Sequence, residues 1–345
     1  MTKTDLKSLD LKELEEFLVS MGEKKYRAKQ IYEWLHVKLA NGFEEMTNLP
    51  KALKEQLEKV CYITNLTVLN KLESKGGETS KLLFGLSDNR VLESVLMKYH
   101  HGNSVCISSQ VGCKMGCKFC ASTIGGFERN LSPSEMLDQI YQIQRISGER
   151  VSNVVVMGTG EPLDNYDNLL RFIRILTDEN GLNISQRNIT VSTCGLTKKM
   201  RDLADEKLQI TLALSLHAPN DEVRKELMPV ANTFDYDSVI EACKYYYEKT
   251  GRRITFEYSM VEGVNDYESH AKELAKRIKG MNCHVNLIPV NPIKERNYRQ
   301  SEVKNIQNFK NILEKYGINV TIRREMGTDI NAACGQLRKS YMDSV

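Results

Sequence analysis

The sequence predicts an α/β chain: a small helical amino-terminal unit, a β-hairpin extension, and then a parallel sheet wrapped by helices. Three observations carry this. From about residue 91 short apolar runs alternate with amphipathic stretches through some six units, the pattern of parallel strands joined by helical crossovers. The first sixty residues carry helical periodicity instead. Between the two lie β-rich runs around turn signals.

Taken in order, Asp10 is placed to cap a helix whose apolar stripe is Leu11, Leu14, Phe17, Leu18 and Met21, with Gly22 closing it. A second helix is expected over 25–39 and a third after Pro50. Runs at 63–69, 80–86 and 90–99 flank turn signals at 75–78 and 87–89, which predicts the hairpins. An accessory domain over 1–90 and a main domain over 91–345 follow, with no Pro/Gly/Ser-rich linker at the join. Strands are expected at 104–108, 153–158, 188–193, 210–217, 253–261, 284–290 and 319–324. The first intervening helix starts at the capping signal Ser132-Pro133-Ser134-Glu135, with Met136, Leu137, Ile140 and Ile143 as its apolar face. Others are expected over 165–176, 238–249, 268–279 and 301–316. In a barrel or a doubly wound sheet alike, the chemistry belongs at the carboxyl ends of the strands.

Composition narrows the function. Lys plus Arg number 48 against 45 Asp plus Glu, a net charge of +3, so any nucleic-acid site must be a local patch. No apolar run is long enough to span a bilayer, and the charged, helical start is unlike a signal peptide. A cytoplasmic protein is expected. Nine cysteines in a reducing compartment do not suggest a disulfide framework, so those that cluster point to metal or catalytic use.

Cys113, Cys117 and Cys120 do cluster, at C-x3-C-x2-C in a glycine-bearing loop directly after a strand. Thiolates so close in sequence converge on one metal centre. A structural zinc site would need a fourth ligand, such as Cys106 or a distant His; a 4Fe–4S cluster would use three thiolates and leave one iron open. Each expected strand ends in small or polar groups: Gly158-Thr159-Gly160-Glu161-Pro162, Ser192-Thr193, Ser215-Leu216-His217 and Asn291-Pro292. Such strand ends hold polar small molecules in parallel barrels. Glycines let backbone approach a ligand, and Glu161 can accept from an ammonium group.

These motifs resemble the radical S-adenosylmethionine superfamily, and in detail its adenine carbon-2 RNA methyltransferases of the RlmN type. The matching segments are CISSQVGCKMGCKFCAS, GGFERNL, VVVMGTGEPLDNYDNL, VSTCGL, LALSLHAPNDEVRKELMPV, GVND, HVNLIPVNP and DINAACGQL. The resemblance implies a partial (β/α)6 TIM-like barrel. It implies a 4Fe–4S cluster on Cys113, Cys117 and Cys120, with two S-adenosylmethionine molecules used per turnover. The first would methylate Cys334 on sulfur. The second, chelated by the open iron, would be cleaved to a 5′-deoxyadenosyl radical that takes hydrogen from the Cys334 methyl group, and the resulting carbon radical would add to the adenine. Cys106 would resolve the covalent adduct, ending in a transient Cys106–Cys334 disulfide, and Glu93 would accept the proton. Gly160, Glu161, Ser192, Ser215, Leu216, His217 and Asn291 match cofactor contacts.

The implied substrates are an adenosine of 23S rRNA at the peptidyl transferase centre and the adenosine 3′ of the tRNA anticodon. An electron donor such as flavodoxin or ferredoxin and a monomeric state are implied as well. Two alternatives stand beside this reading: a Cfr-type adenine carbon-8 methyltransferase, and a non-catalytic, zinc-stapled RNA-binding protein. Read from residue type alone, Glu93 is an exposed strand charge, while Cys61, Cys194, Cys243 and Cys283 are packing residues. RNA contact is expected from Lys24, Lys25, Arg27 and Lys29 interleaved with Tyr26, Tyr32 and Trp34, from Lys98, His100 and His101, and from Arg296, Arg299, Arg323 and Arg324.

Overall fold

The structure, a computed structural model, describes residues 3–324 and 326–337. Three helices open it: α1 (Leu11–Ser20), α2 (Tyr26–His36) and α3 (Lys51–Val60). The Asp10 cap is reciprocal. Its carboxylate accepts from Glu13 N–H at 2.8 Å, and the Glu13 carboxylate accepts from Asp10 N–H at 3.0 Å, satisfying donors that a helix start leaves free. α2 ends earlier than expected, and the chain turns away through Leu39 at φ +58°, a backbone that a right-handed helix cannot include.

A ten-stranded sheet follows. Its first strands, β1 (Thr67–Glu73), β2 (Thr79–Gly85) and β3 (Val91–Tyr99), are antiparallel hairpins. β4 (Gly102–Cys106) pairs antiparallel with β3 and parallel with β5 (Val151–Val156). β6 (Ile189–Thr193), β7 (Thr211–Ser215), β8 (Ile254–Met260), β9 (Cys283–Pro289) and β10 (Asn319–Ile322) continue in parallel, each beside its sequence neighbour. The hairpins and the parallel strands therefore form one continuous sheet.

The crossovers are made by α4 (Pro133–Ser147), α5 (Tyr166–Thr177), α6 (Thr197–Asp205), α7 (Asp221–Leu227), α8 (Tyr236–Thr250), α9 (Glu268–Ile278) and α10 (Val303–Lys315). Parallel strands in strict chain order, joined by crossovers of one hand, put the crossover helices on one side of the sheet, except α7, which packs against the cysteine loop. The result is the partial (β/α)6 barrel. α6 and α7 lie outside the expected set. Both are short and charged, and each buries only about one turn's worth of apolar side chains, such as Met200 and Leu203 or Val223 and Leu227.

The sheet divides its residues by alternation. Val105, Val191, Leu214, Phe256 and Leu287 face the helices and join the main core. Their neighbours Cys106, Ser192, Ser215, Glu257 and Ile288 face a cavity on the other side. The amino-terminal helices add Leu14, Leu18, Ile31, Leu35, Leu53 and Leu57 to the main core. Tyr32, expected in an RNA-binding stretch, is fully buried there; helical periodicity puts it on the packed face of α2.

A buried ion pair docks this unit on α4. Lys7 Nζ lies 2.6 Å from Asp138 Oδ1 and donates to Thr64 O at 2.6 Å. Asp138 Oδ2 accepts from Leu66 N–H at 2.7 Å and from Gln142 at 3.2 Å. Beside it His36 Nδ1 meets the Tyr141 hydroxyl at 2.8 Å. Burial, and then Lys7, hold His36 down to about 3.

The segment after β10 crosses the open edge of the barrel. Arg324 pairs with Glu78 at 2.7 Å, Asp329 accepts from Lys75 N–H at 2.9 Å, and Lys81 Nζ donates to Asn331 O at 3.3 Å. It then reaches the cysteine loop, where Ala121 N–H donates to Gly335 O at 2.7 Å and Ser122 donates to Leu337 O at 2.7 Å.

Two outcomes test this docking. Asp138→Ala strands the buried Lys7 ammonium, and urea unfolding should show a loss of about 3–5 kcal/mol. His36 stays neutral when folded but takes up a proton below about 6.5 when unfolded. Stability should therefore fall as pH drops from about 6.5 towards 3, and His36→Gln should flatten that limb in urea titrations across the range.

Candidate active site

The cavity lies at the carboxyl ends of the strands. It is lined by Cys106 from β4, Gly160 and Glu161 after β5, Ser192 from β6, Ser215 and His217 at the end of β7, and Asn291 after β9. Cys113, Cys117 and Cys120 line it from the loop after β4, and Cys334 from the segment after β10. Residues separated by most of the chain thus share one enclosure.

The loop's anchor is Ser108, just beyond β4. Its N–H donates to Gln139 Oε1 at 2.8 Å, and its carbonyl accepts from Gln139 Nε2 at 3.0 Å. Its hydroxyl donates to Glu93 O at 2.9 Å and accepts from Thr159 N–H at 3.0 Å. Gly158 and Gly160 pass close by: a Cβ on Gly158 would lie 2.7 Å from Ile107 O, and one on Gly160, at φ +110°, 2.6 Å from Gln110 Cβ. Only glycine fits at either place.

The buried Glu161 carboxylate accepts from Leu163 N–H at 3.0 Å and from Cys194 N–H at 2.7 Å, fastening the β5 and β6 exits together. Burial pushes its pKa up against those hydrogen bonds. His217 has left-handed backbone, φ +56°, and its Nδ1 accepts from Ser259 N–H at 2.9 Å. Burial, and then Arg224, hold it down to about 3. The ring is neutral and carries its proton on Nε2. Ser192 and Ser215 hydroxyls lie 3.3 Å apart. The Leu216 side chain is in the core, so only its backbone is available to a ligand. Asn291 Nδ2 donates to Cys334 O at 3.1 Å.

All nine cysteines are free, so the disulfide implied for Cys106 and Cys334 is not formed here. Burial pushes the Cys106, Cys113 and Cys120 thiols up to about 12. Cys334 is exposed on its outer side, yet desolvation within the cavity also pushes its thiol up, with Arg323 opposing. Thiols so raised are protonated at neutral pH unless a metal centre takes the proton's place. Three thiols around a shared cavity suit a cluster, in which each sulfur binds a different iron.

Glu93 is not the exposed strand charge its residue type suggests. It is 3% exposed and pairs with Lys81 Nζ at 3.1 Å. It lines a smaller adjoining cavity with Gln110 and Thr159, and the two cavities share Ser122. The same Lys81 reaches Asn331 O, linking Glu93 to the Cys334 segment. Cys194 is not a packing residue either: it lines the main cavity, its sulfur 3.9 Å from that of Cys117. Sequence reasoning also missed Glu257; it lines the cavity, as does Arg323, expected among the RNA contacts. A signal existed for Glu257, a lone charge between Phe256 and Tyr258 in an apolar strand.

Gln139→Leu would leave the Ser108 peptide unpaired. Each orphaned group should cost about 1–3 kcal/mol, and iron and sulfide retained after anaerobic reconstitution should fall with it, as colorimetric assay would show.

Residues 4–63 match the ribosomal RNA large subunit methyltransferase N-terminal domain, and residues 107–279 match the radical SAM superfamily. The chain is 67% identical to the probable dual-specificity RNA methyltransferase RlmN of Lachnoclostridium phytofermentans, over 99% of this chain and 96% of that one. It is 62% identical to the protein of the same description from Lachnospira eligens, over 99% and 98%. A crystal structure of a radical SAM methyltransferase from Sphaerobacter thermophilus superposes with a TM-score of 0.94 at 44% identity, covering 98% of this chain and all of that one.

Proposed function

This chain belongs to the RlmN family of radical S-adenosylmethionine RNA methyltransferases, and we propose that it methylates carbon 2 of adenosine in both 23S rRNA and tRNA. The sites are the peptidyl transferase centre and the adenosine 3′ of the anticodon. What supports the reading is that Cys106 and Cys334 line the same cavity as Cys113, Cys117 and Cys120. Carbon 2 is an electron-poor ring carbon, so ordinary methyl transfer by a nucleophile is closed to it.

Cys113, Cys117 and Cys120 hold the 4Fe–4S cluster; when bound, it supplies the electron that cleaves S-adenosylmethionine. Gly160, Glu161, Ser192, Ser215, His217, Asn291 and the Leu216 backbone position that cofactor. Cys334 takes the methyl group first, as a thioether, and Arg323 favours its thiolate. One hydrogen of that methyl passes to the 5′-deoxyadenosyl fragment of a second S-adenosylmethionine, the methyl carbon then bonds to the adenine, and Glu93 receives the proton lost from carbon 2. Cys106 attacks the Cys334 sulfur, and the sulfur–carbon bond breaks with its electron pair left on the product carbon, which takes up a proton to become the methyl group. A disulfide forms, and the surplus electron of the adduct would return to the cluster. Cellular thiols reduce it before the next cycle, which fits a cytoplasmic enzyme. Among the described residues no helix is long and apolar enough to cross a membrane. A flavodoxin or ferredoxin supplies electrons, and the enzyme acts as a monomer.

Incubation with unmodified rRNA fragment and tRNA, followed by nucleoside mass spectrometry, should give 2-methyladenosine from both. An 8-methyl product would overturn the regiochemistry. Cys334→Ala should abolish product while iron content stays at the wild-type level, and Cys106→Ala should accumulate a covalent protein–RNA adduct on denaturing gels.

A further inference from the structure

Arg224 on α7 is fully buried, and nothing in the reaction above uses it. Its Nη1 donates to Phe234 O at 3.0 Å and its Nη2 to Cys194 O at 2.6 Å. Both acceptors are neutral carbonyls, and Nε has no partner. Asp221, one turn earlier, turns its Oδ1 to Tyr236 N–H at 2.9 Å. The other groups around the guanidinium are Tyr236, the neutral His217, Cys243, Cys194 and Cys117. Among these groups Asp221 alone is a carboxylate, and a carboxylate already bonded to a backbone N–H compensates a buried guanidinium only in part, which leaves the position suited to a further anion.

The anion's place is marked by packing. Val223 and Leu227 of α7 form a small apolar cluster with Cys113, Met115 and Cys117. Lys118 N–H donates to Leu227 O at 2.9 Å, and a Cβ on Gly116 would lie 3.4 Å from Pro229 Cγ. The peptide of Cys194, which Arg224 grips, carries the thiol 3.9 Å from the Cys117 sulfur. Arg224 thus stands directly behind the cysteine loop, with Cys194 between.

We infer that Arg224 is the countercharge of the iron–sulfur cluster, offsetting the negative charge of the thiolate-bound core and easing its one-electron reduction. This rests on the cluster being held by Cys113, Cys117 and Cys120. Three thiolates outweigh the charge of the oxidised core, and reduction adds a further negative charge. In a low-dielectric surround a fixed cation favours the reduced state. Cys194 is the spacer: its thiol faces the Cys117 sulfur while its carbonyl orients the guanidinium.

The test compares wild type, Arg224→Lys, Arg224→Gln and Arg224→Met after anaerobic reconstitution, by potentiometric titration followed by electron paramagnetic resonance and by thermal melts with and without the cluster. In Arg224→Met and Arg224→Gln the equilibrium constant for reduction should fall about tenfold, a shift of about 59 mV to more negative potential. Arg224→Lys, which keeps the charge and loses the forked grip, should stay near wild type. The rise in melting temperature on cluster loading should shrink in Arg224→Met, while the cluster-free protein melts no lower than cluster-free wild type. Wild-type potentials in the neutral variants, or an equal fall in Arg224→Lys, would overturn the inference and leave Arg224 a fastener of two loops. Failure of the underlying reading shows separately, as wild-type protein that binds no iron and sulfide.

Discussion

The peptide of Ser108 is the constraint on which the site depends. The chain leaving β4 must turn immediately into a glycine-bearing loop with no regular pairing to hold it. Gln139, from inside α4, takes both the N–H and the carbonyl of that peptide, and the hydroxyl ties β3 to the exit of β5. Four elements are joined at one buried residue, and every polar group of Ser108 finds a partner. In a low-dielectric interior, satisfied networks of this kind define a single arrangement, whereas half-satisfied ones are costly. The cysteines downstream inherit that definition.

The sheet then separates two chemistries by its two-residue period. One face is aliphatic and aromatic and supports the helices; the other carries sulfur, hydroxyl, carboxylate and imidazole into an enclosed space. Burial raises Cys106, Glu161 and Glu257 there, and lowers His217. The cavity therefore favours neutral groups. The fixed charges around it, Arg224 behind the cysteine loop and Arg323 beside Cys334, act with little screening. A charged or metal-bound species entering such a space meets an environment already arranged around it.

Much of this was legible in the sequence where the signal is local. The caps at Asp10 and Ser132, the period-two strands and the three-cysteine spacing are each written within a few residues. The resemblance supplied what spacing cannot, the meeting of Cys106 with Cys334. What stayed hidden are polar residues whose meaning depends on distant partners. Gln139 stands among the polar positions of an expected helix, Arg224 in a stretch where no helix is expected, Lys81 in a strand run, and Cys194 reads as a packing residue. Each meets groups contributed from elsewhere in the chain. Tyr32 failed in the opposite sense: its basic neighbours suggested a surface, while the helical period put it in the core.

The strap that follows β10 has a consequence in the time order of synthesis. The ribosome delivers the cysteine loop well before the segment that carries Cys334, and domains fold from the amino terminus as they emerge. Through that interval the barrel's mouth lacks its cover, and the loop stands open on that side. Once Gly335 and Leu337 bond to Ala121 and Ser122, the same loop lies under a roof. In chain order the cysteine loop comes first and the segment that covers it last.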